Sequence, residues 1–142
     1  MNYIEIKGGT KAEKVIVQKT VDYCLKTLLP RYRTLELEIK LKNIKDDAVG
    51  YCLMGDTNRQ FEIEIQRGMS VKDIVTTVCH EMVHVKQYAR KEMDDHLTSS
   101  GRAKWRGKLV KSDTKYYDLP WEIEAYEMQD DLADDIWNKG LI

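Results

Sequence analysis

Two histidines and a glutamate near the middle of the chain form its strongest chemical pattern. They are His80, Glu81 and His84, in the arrangement H-E-x-x-H. On a helix, residues four apart lie one above the other, so both imidazoles can reach one metal ion. Glu81 can then approach a metal-bound water and accept its proton. This spacing predicts a site for one Zn²⁺ ion, with Glu81 as the general base of a hydrolysis.

A catalytic zinc ion usually has three protein ligands and one water, so a third ligand is needed. The candidates lie further along the chain: Glu122, Glu124 and His96, which is the only other histidine. On a helical wheel, Glu122 shares its side with small and neutral residues such as Ala125, which suits close packing against another helix. We therefore predict Glu122 as the third ligand, with Glu124 and His96 as alternatives.

Hydrolysis also needs groups that stabilise the oxyanion and hold the substrate. Tyr116, Tyr117 or His96 could donate a hydrogen bond to the oxyanion. A peptide substrate could add as an extra strand to a sheet edge beside the metal. The predicted strand over residues 61–66 leads directly into the H-E-x-x-H segment, so we expect that strand to receive the substrate.

The periodicity of apolar side chains predicts the element that carries the motif. A helix is expected over residues 71–92, with a start at Ser70 and Asp73 that resembles a capping box. Its apolar side chains share one face, which we expect to pack on a sheet. His80 and His84 lie roughly half a turn from that face and point to a later part of the chain. The apolar face consists of Val71, Ile74, Val75, Val78, Met82 and Val85.

Two further helices flank this one. The first is predicted over residues 11–29, because Thr10 and Glu13 have the T-x-x-E form of a capping box. The last is predicted to start with Asp118 as its N-cap and to run to about residue 138. This last helix would carry the third ligand and close the metal site.

Alternating apolar and polar residues predict the strands. Strict alternation over residues 35–42 and 61–66 indicates strands with one wet face, and residues 3–6 and 49–54 are also expected to be strands. Short connections favour an antiparallel meander. A small hairpin is predicted around Gly107. The expected fold is α+β: an N-terminal helix, a mostly antiparallel sheet of three to four strands, the H-E-x-x-H helix on that sheet, and a C-terminal helix.

Composition narrows the class of protein. The 142 residues carry a net charge of −1, which does not favour binding to nucleic acid or membrane, and they are expected to form a single domain over residues 1–142. Three widely spaced cysteines favour a reducing compartment, and the first residues lack the pattern of a signal peptide. We therefore expect a cytoplasmic protein.

One segment, residues 86–111, has eight Lys or Arg against three acids. It is either a nucleic-acid patch or, as the simpler interpretation, a solvated loop paired with the acidic last helix.

The two motifs together resemble a known class of enzymes. His80-Glu81-x-x-His84 followed by Glu122-x-Glu124-Ala125 resembles the gluzincin pattern, H-E-x-x-H and then E-x-x-A on a later helix. The arrangement is similar to minimal zincin domains, which include SprT-like proteins and the ImmA/IrrE peptidases of bacteria and phages. Residues 117–126 also resemble small phage-encoded metallopeptidase-like proteins. The resemblance covers about residues 60–138.

The chain departs from these families at two positions. Gluzincins often carry Asp or Asn four residues after the ligand Glu, where this chain has Tyr126. SprT-like proteins use a third histidine, which only His96 could supply.

The resemblance implies a function as well as a fold. It implies a zincin-like metallopeptidase that hydrolyses a protein or peptide substrate in the cytoplasm of a bacterial or phage-infected cell. His80, His84 and Glu122 would hold the zinc ion, and Glu81 would act as general base. The alternative from another class is a non-catalytic, zinc-stabilised interaction module that acts on DNA-bound protein partners.

Overall fold

The computed structural model describes residues 1–95 and 103–142, which form an α+β arrangement. The helices in these ranges are α1 (Lys11–Leu28), α2 (Val71–Ala89) and α3 (Pro120–Asn138), and a 3-10 turn at Tyr116–Asp118 precedes α3. The main sheet contains β1 (Tyr3–Gly8), β2 (Glu36–Lys42), β3 (Gly50–Met54) and β4 (Gln60–Gln66). A second, small sheet contains β5 (Met93–Asp94), β6 (Lys104–Trp105) and β7 (Lys108–Leu109).

The main sheet is mostly parallel, so the predicted antiparallel meander is wrong. Its strand order is β1-β2-β4-β3, with β1–β2 and β2–β4 parallel and only β3–β4 antiparallel. Helix α1 connects β1 to β2, and a helical crossover returns the chain to the same end of the sheet. The short link after β2 does not form a hairpin, because β4 lies between β2 and β3.

This strand order also corrects the expected position of the substrate. Strand β4 is paired on both sides, with β2 and with β3, so it has no edge to which a peptide can add. Strand β3 is the edge strand on that side of the sheet. The expectation that residues 61–66 receive a substrate strand is therefore wrong.

One face of the main sheet is buried and the other is wet, as the alternation predicted. Leu37, Ile39 and Ile63 are at most 1% exposed, and they belong to the core formed with α1 and α2. The opposite face carries charged side chains in ion pairs, such as Lys40 with Glu62 at 2.9 Å.

The capping box predicted at the start of α1 is confirmed, whereas the predicted start of α3 is wrong. Thr10 Oγ1 accepts from the Glu13 N–H at 3.1 Å, and Glu13 Oε1 accepts from the Thr10 N–H at 2.9 Å. Glu13 Oε2 also accepts from the Gly68 N–H at 2.8 Å, which ties the start of α1 to the segment that enters α2. The predicted N-cap of α3 at Asp118 is wrong. The N-cap is Leu119, because Asp118 belongs to the 3-10 turn before the helix.

Helix α2 lies at the centre of the molecule. Every residue in the range 77–89 is buried, although Val71 at the start of the helix is exposed. The helix packs against α1 and α3 and against β3 and β4. Among the described residues, no helix has the length and apolar character needed to cross a membrane.

The small sheet contains the predicted hairpin. Strands β6 and β7 pair around Arg106 and Gly107, which both have positive φ angles, of 49° and 83°. Such angles are typical of a two-residue hairpin turn.

Candidate metal centre

The two histidines of α2 meet one carboxylate of α3. Glu122 Oε1 lies 3.0 Å from His80 Nε2, and Glu122 Oε2 lies 3.2 Å from His84 Nε2. All three side chains are buried, and the imidazole rings meet edge to face. Close packing of α2 and α3, with Ala125 fully buried, allows this approach. Glu122, predicted from the helical wheel, is thus the residue that the fold brings to the histidines.

The spacing of these three side chains suits a metal ion. One ligand atom from each of His80, His84 and Glu122 can be chosen so that all lie within 4.8 Å of one another. Ligands at about 2.0–2.2 Å from a tetrahedral ion are separated by about 3.3 Å, close to the observed contacts. The buried group can therefore bind a metal ion.

Of the two alternative ligands, Glu124 does not join this group. Glu124 instead accepts hydrogen bonds from Lys86 at 2.7 Å and from Arg106 at 2.8 Å. His96 lies outside the described residues.

Two glutamines, which the sequence reasoning missed, orient the histidine rings. Gln129 Oε1 lies 2.8 Å from His80 Nδ1, and Gln87 Oε1 lies 2.7 Å from His84 Nδ1. Tyr126, at the position where gluzincins often have Asp or Asn, packs its ring against His80 with 4.6 Å between centroids. A signal for Gln129 existed, because it shares a helix face with Glu122 seven residues earlier.

Glu81 lies beside the backbone of the edge strand β3. A Cβ atom at Gly50 would lie 2.8 Å from Glu81 Oε2 and 2.8 Å from Thr77 Cγ2. Only a glycine leaves this space for the Glu81 carboxylate. Gly50 was not predicted from the sequence, since its importance depends on a contact with Glu81, 31 positions later in the chain.

Burial and neighbouring charges shift the pKa values of these groups in different directions. Burial raises the pKa of Glu81. Attraction to His84 and His80 opposes this shift, and repulsion from Glu122 adds to it. Burial also acts to raise the pKa of Glu122, but hydrogen bonds from His80 and His84 outweigh it and bring that pKa to about 2. Burial acts to lower the pKa of His84, yet its contact with Glu122 raises it. These shifts favour an ionised Glu122 carboxylate between the two imidazoles.

A cleft passes over the centre in two halves. The halves have volumes of about 330 and 340 Å³, and both are lined by Gly50, His80, Glu81 and Tyr116. The first half continues past the side chains Cys52, Tyr88, Met93 and Trp121. The second half continues past Val49, Thr77, Tyr117 and Tyr126. A larger cavity of about 450 Å³ lies on the wet face of the sheet, so size alone does not identify the site.

Two of the three predicted oxyanion donors, Tyr116 and Tyr117, line this cleft, and the third, His96, lies outside the described residues. The Tyr116 hydroxyl donates to Glu122 Oε1 at 3.1 Å. Burial raises the pKa of Tyr116, and so do its contacts with Tyr126 and Glu122, so its hydroxyl keeps its proton. Tyr117 is more exposed and packs its ring against those of Tyr116 and Tyr126. Their role as oxyanion donors stays a prediction.

The edge of β3 presents backbone groups to the cleft. Val49 O accepts from the Gln66 N–H at 2.9 Å, and Gly55 N–H donates to Gln60 O at 2.7 Å. In an antiparallel ladder, every second residue points its N–H and C=O groups at the partner strand, and the residues that alternate with these point their groups the other way. The N–H and C=O groups of Gly50 and Cys52 therefore point to the outer edge.

No family model, curated protein or solved structure matches this chain. The resemblance to zincins therefore consists of the two sequence motifs.

Two basic side chains of the segment 86–111 are paired with acids among the described residues. Lys86 is buried between Glu92 and Glu124, at 2.9 and 2.7 Å, and Arg106 also pairs with Glu124.

Proposed function

We propose that the protein is a zinc-dependent peptidase with a minimal zincin-like fold, acting on a protein or peptide substrate in the cytoplasm. The observation that carries this proposal is the buried group of His80, His84 and Glu122, with Glu81 beside it in an open cleft. Two imidazoles and a carboxylate are a known ligand set of catalytic zinc, which keeps a fourth position for water or substrate.

The side chains of the centre have distinct roles in this proposal. His80, His84 and Glu122 hold the metal, and a bound zinc ion supplies Lewis-acid activation of water and of the scissile carbonyl. Glu81 accepts the proton of the attacking water and passes it to the leaving amine. Burial raises the pKa of Glu81, which moves it toward the range that suits a general base near neutral pH. Tyr116 donates to the developing oxyanion.

The edge of β3 is the proposed docking strand for the substrate. The outward N–H and C=O groups of Gly50 and Cys52 can pair with an extended peptide, as in other cases of strand addition. Both residues line the cleft over the metal centre. An extended peptide on this edge would pass between the two halves of the cleft.

The variant Glu81→Gln tests the proposal. Glutamine cannot accept the proton, and Glu81 is not a metal ligand, so zinc content should stay at the wild-type value. Hydrolysis of a peptide library, followed as new N-termini by mass spectrometry, should fall by about 10²–10⁴-fold. Glu64→Gln on the wet face of the sheet is the matched control, and it should leave hydrolysis unchanged.

Two outcomes would contradict the peptidase proposal. Unchanged hydrolysis in Glu81→Gln would remove the general base. Zinc-loaded wild-type protein that cleaves no peptide in the library would favour the non-catalytic interaction module instead.

A further inference from the structure

Gln87 is a fully buried polar side chain that connects the metal centre to α3. Its Oε1 lies 2.7 Å from His84 Nδ1. Its Nε2 donates to the Trp121 carbonyl at 2.9 Å and to Glu124 Oε1 at 3.2 Å. At 0% exposure, Gln87 has no water to replace any of these partners.

These partners determine which way the amide points. A peptide carbonyl can only accept a hydrogen bond, so the Trp121 oxygen must face the NH₂ group of Gln87. The Glu124 carboxylate, paired with Lys86 and Arg106, is an acceptor on the same side. The Gln87 oxygen is left to face His84.

The orientation of the amide in turn determines the tautomer of His84. The Gln87 oxygen can only accept, so His84 Nδ1 must carry a hydrogen. In a neutral imidazole the other nitrogen then has the lone pair. That nitrogen is Nε2, which lies 3.2 Å from Glu122 Oε2. In the doubly protonated ring Nε2–H donates to this carboxylate, and loss of that hydrogen leaves on Nε2 the lone pair that would bind the metal.

His80 has a less constrained partner. Its Nδ1 contacts Gln129 Oε1 at 2.8 Å, but Gln129 is partly exposed at the side of the cleft. An amide that reaches solvent can reorient at small cost, whereas a buried one with two acceptors on its NH₂ side cannot. The two ligand histidines are thus held to different degrees.

We propose that Gln87 is a positioning residue, held by the Trp121 carbonyl and Glu124 of α3, that keeps His84 as the Nδ1–H tautomer and presents Nε2 to the metal. This inference rests on the metal-binding part of the proposed function and does not require peptidase activity. It also assigns a role to Glu124, which supports the centre from outside.

The variant Gln87→Met tests the proposal with little change in volume. Zinc affinity, measured by competition with a chromophoric chelator, should weaken by about 10–100-fold. The control is Thr20→Val, which removes the hydrogen bond of another fully buried side chain, from Thr20 Oγ1 to Ile16 O at 2.8 Å in α1. The control should keep wild-type zinc affinity. Wild-type affinity in Gln87→Met would overturn the proposal, as would an equal loss in both variants.

A measurement on the wild-type chain covers the case in which Gln87→Met does not fold. Long-range ¹H–¹⁵N NMR of the histidine rings in zinc-loaded protein should show a hydrogen on His84 Nδ1. Should the protein bind no zinc, the same spectrum of metal-free protein, at a pH where His84 is neutral, still reports the tautomer. A hydrogen on Nε2 in place of Nδ1 would overturn the proposal in either state, independently of the proposed function.

Discussion

Helix α2 is buried on two sides that differ completely in chemistry. The side toward the sheet carries apolar residues, including Val78 and Met82, which are at most 1% exposed. The side toward α3 carries His80 and His84, which are buried almost as well at 7%. Burying apolar side chains stabilises a fold, whereas burying titratable ones is costly unless they are paired. Buried histidines whose ring nitrogens all have partners therefore indicate a functional site rather than a part of the hydrophobic core.

The largest effect on stability is expected on the apolar side. Met82→Ala removes a fully buried side chain and should lower the free energy of unfolding by about 2–5 kcal/mol. Chemical denaturation measures the loss. Folded protein of this variant should still bind zinc, since Met82 points away from His80 and His84. Loss of zinc without loss of stability would show that the two sides of α2 do not act separately.

An intermediate effect, on hydrolysis and not on zinc binding, is expected at Gly50 of β3, which lies beside Glu81 of α2. Gly50→Ala places a Cβ atom 2.8 Å from Glu81 Oε2, so the carboxylate must move. Peptide hydrolysis should fall by roughly 10–100-fold, the consequence of a misplaced catalytic group. Metal analysis should show unchanged zinc, because Glu81 is not a ligand.

The other close contact at Gly50 provides a control. The Cγ2 methyl of Thr77 also lies 2.8 Å from the added Cβ, and Thr77→Ser removes that methyl. The double variant Gly50→Ala with Thr77→Ser should stay as inactive as Gly50→Ala. Restored hydrolysis would identify Thr77, and not Glu81, as the displaced side chain.

The smallest effect is expected where α1 is tied to the entrance of α2. Hydrogen bonds from the Gly68 and Thr10 N–H groups lower the pKa of Glu13 from its usual value of 4.5. Its stabilisation is therefore fully present above pH 4.5 and is lost as the pH falls through the lower pKa of the folded state. Glu13→Gln keeps only one acceptor oxygen, and should cost about 1 kcal/mol at pH 7.

Denaturation at several pH values measures this contribution. The gap in stability between wild type and Glu13→Gln should narrow as the pH falls below 4.5. A gap that stays constant down to pH 2 would show that the charge of Glu13 is not the source of the stabilisation.

Much of this architecture could be predicted from local patterns. Helical periodicity located the three helices to within a few residues, and Thr10 and Glu13 form the predicted capping box. The helical wheel of α3 identified Glu122, because Ala125 beside it indicated close packing. These features depend on residues that are near in sequence, where spacing determines which side chains share a face.

Features that depend on pairing between distant elements were not predictable in the same way. Alternation shows which face of a strand is buried but not which strand lies beside it, so the order β1-β2-β4-β3 was missed. The roles of Gln87, Gln129 and Gly50 were missed for the same reason, because each depends on a contact with another element. The α3 N-cap was misplaced because a 3-10 turn occupies Asp118.

Metal content of the purified protein tests the central claim most directly. The comparison is between wild type, Glu122→Ala and Glu124→Gln, each refilled with zinc and then freed of excess. We expect about one zinc per chain in wild type and in Glu124→Gln, and less than about 0.1 in Glu122→Ala, because the third ligand is lost. Undiminished zinc in Glu122→Ala, or no stoichiometric zinc in wild type, would contradict a centre built from His80, His84 and Glu122.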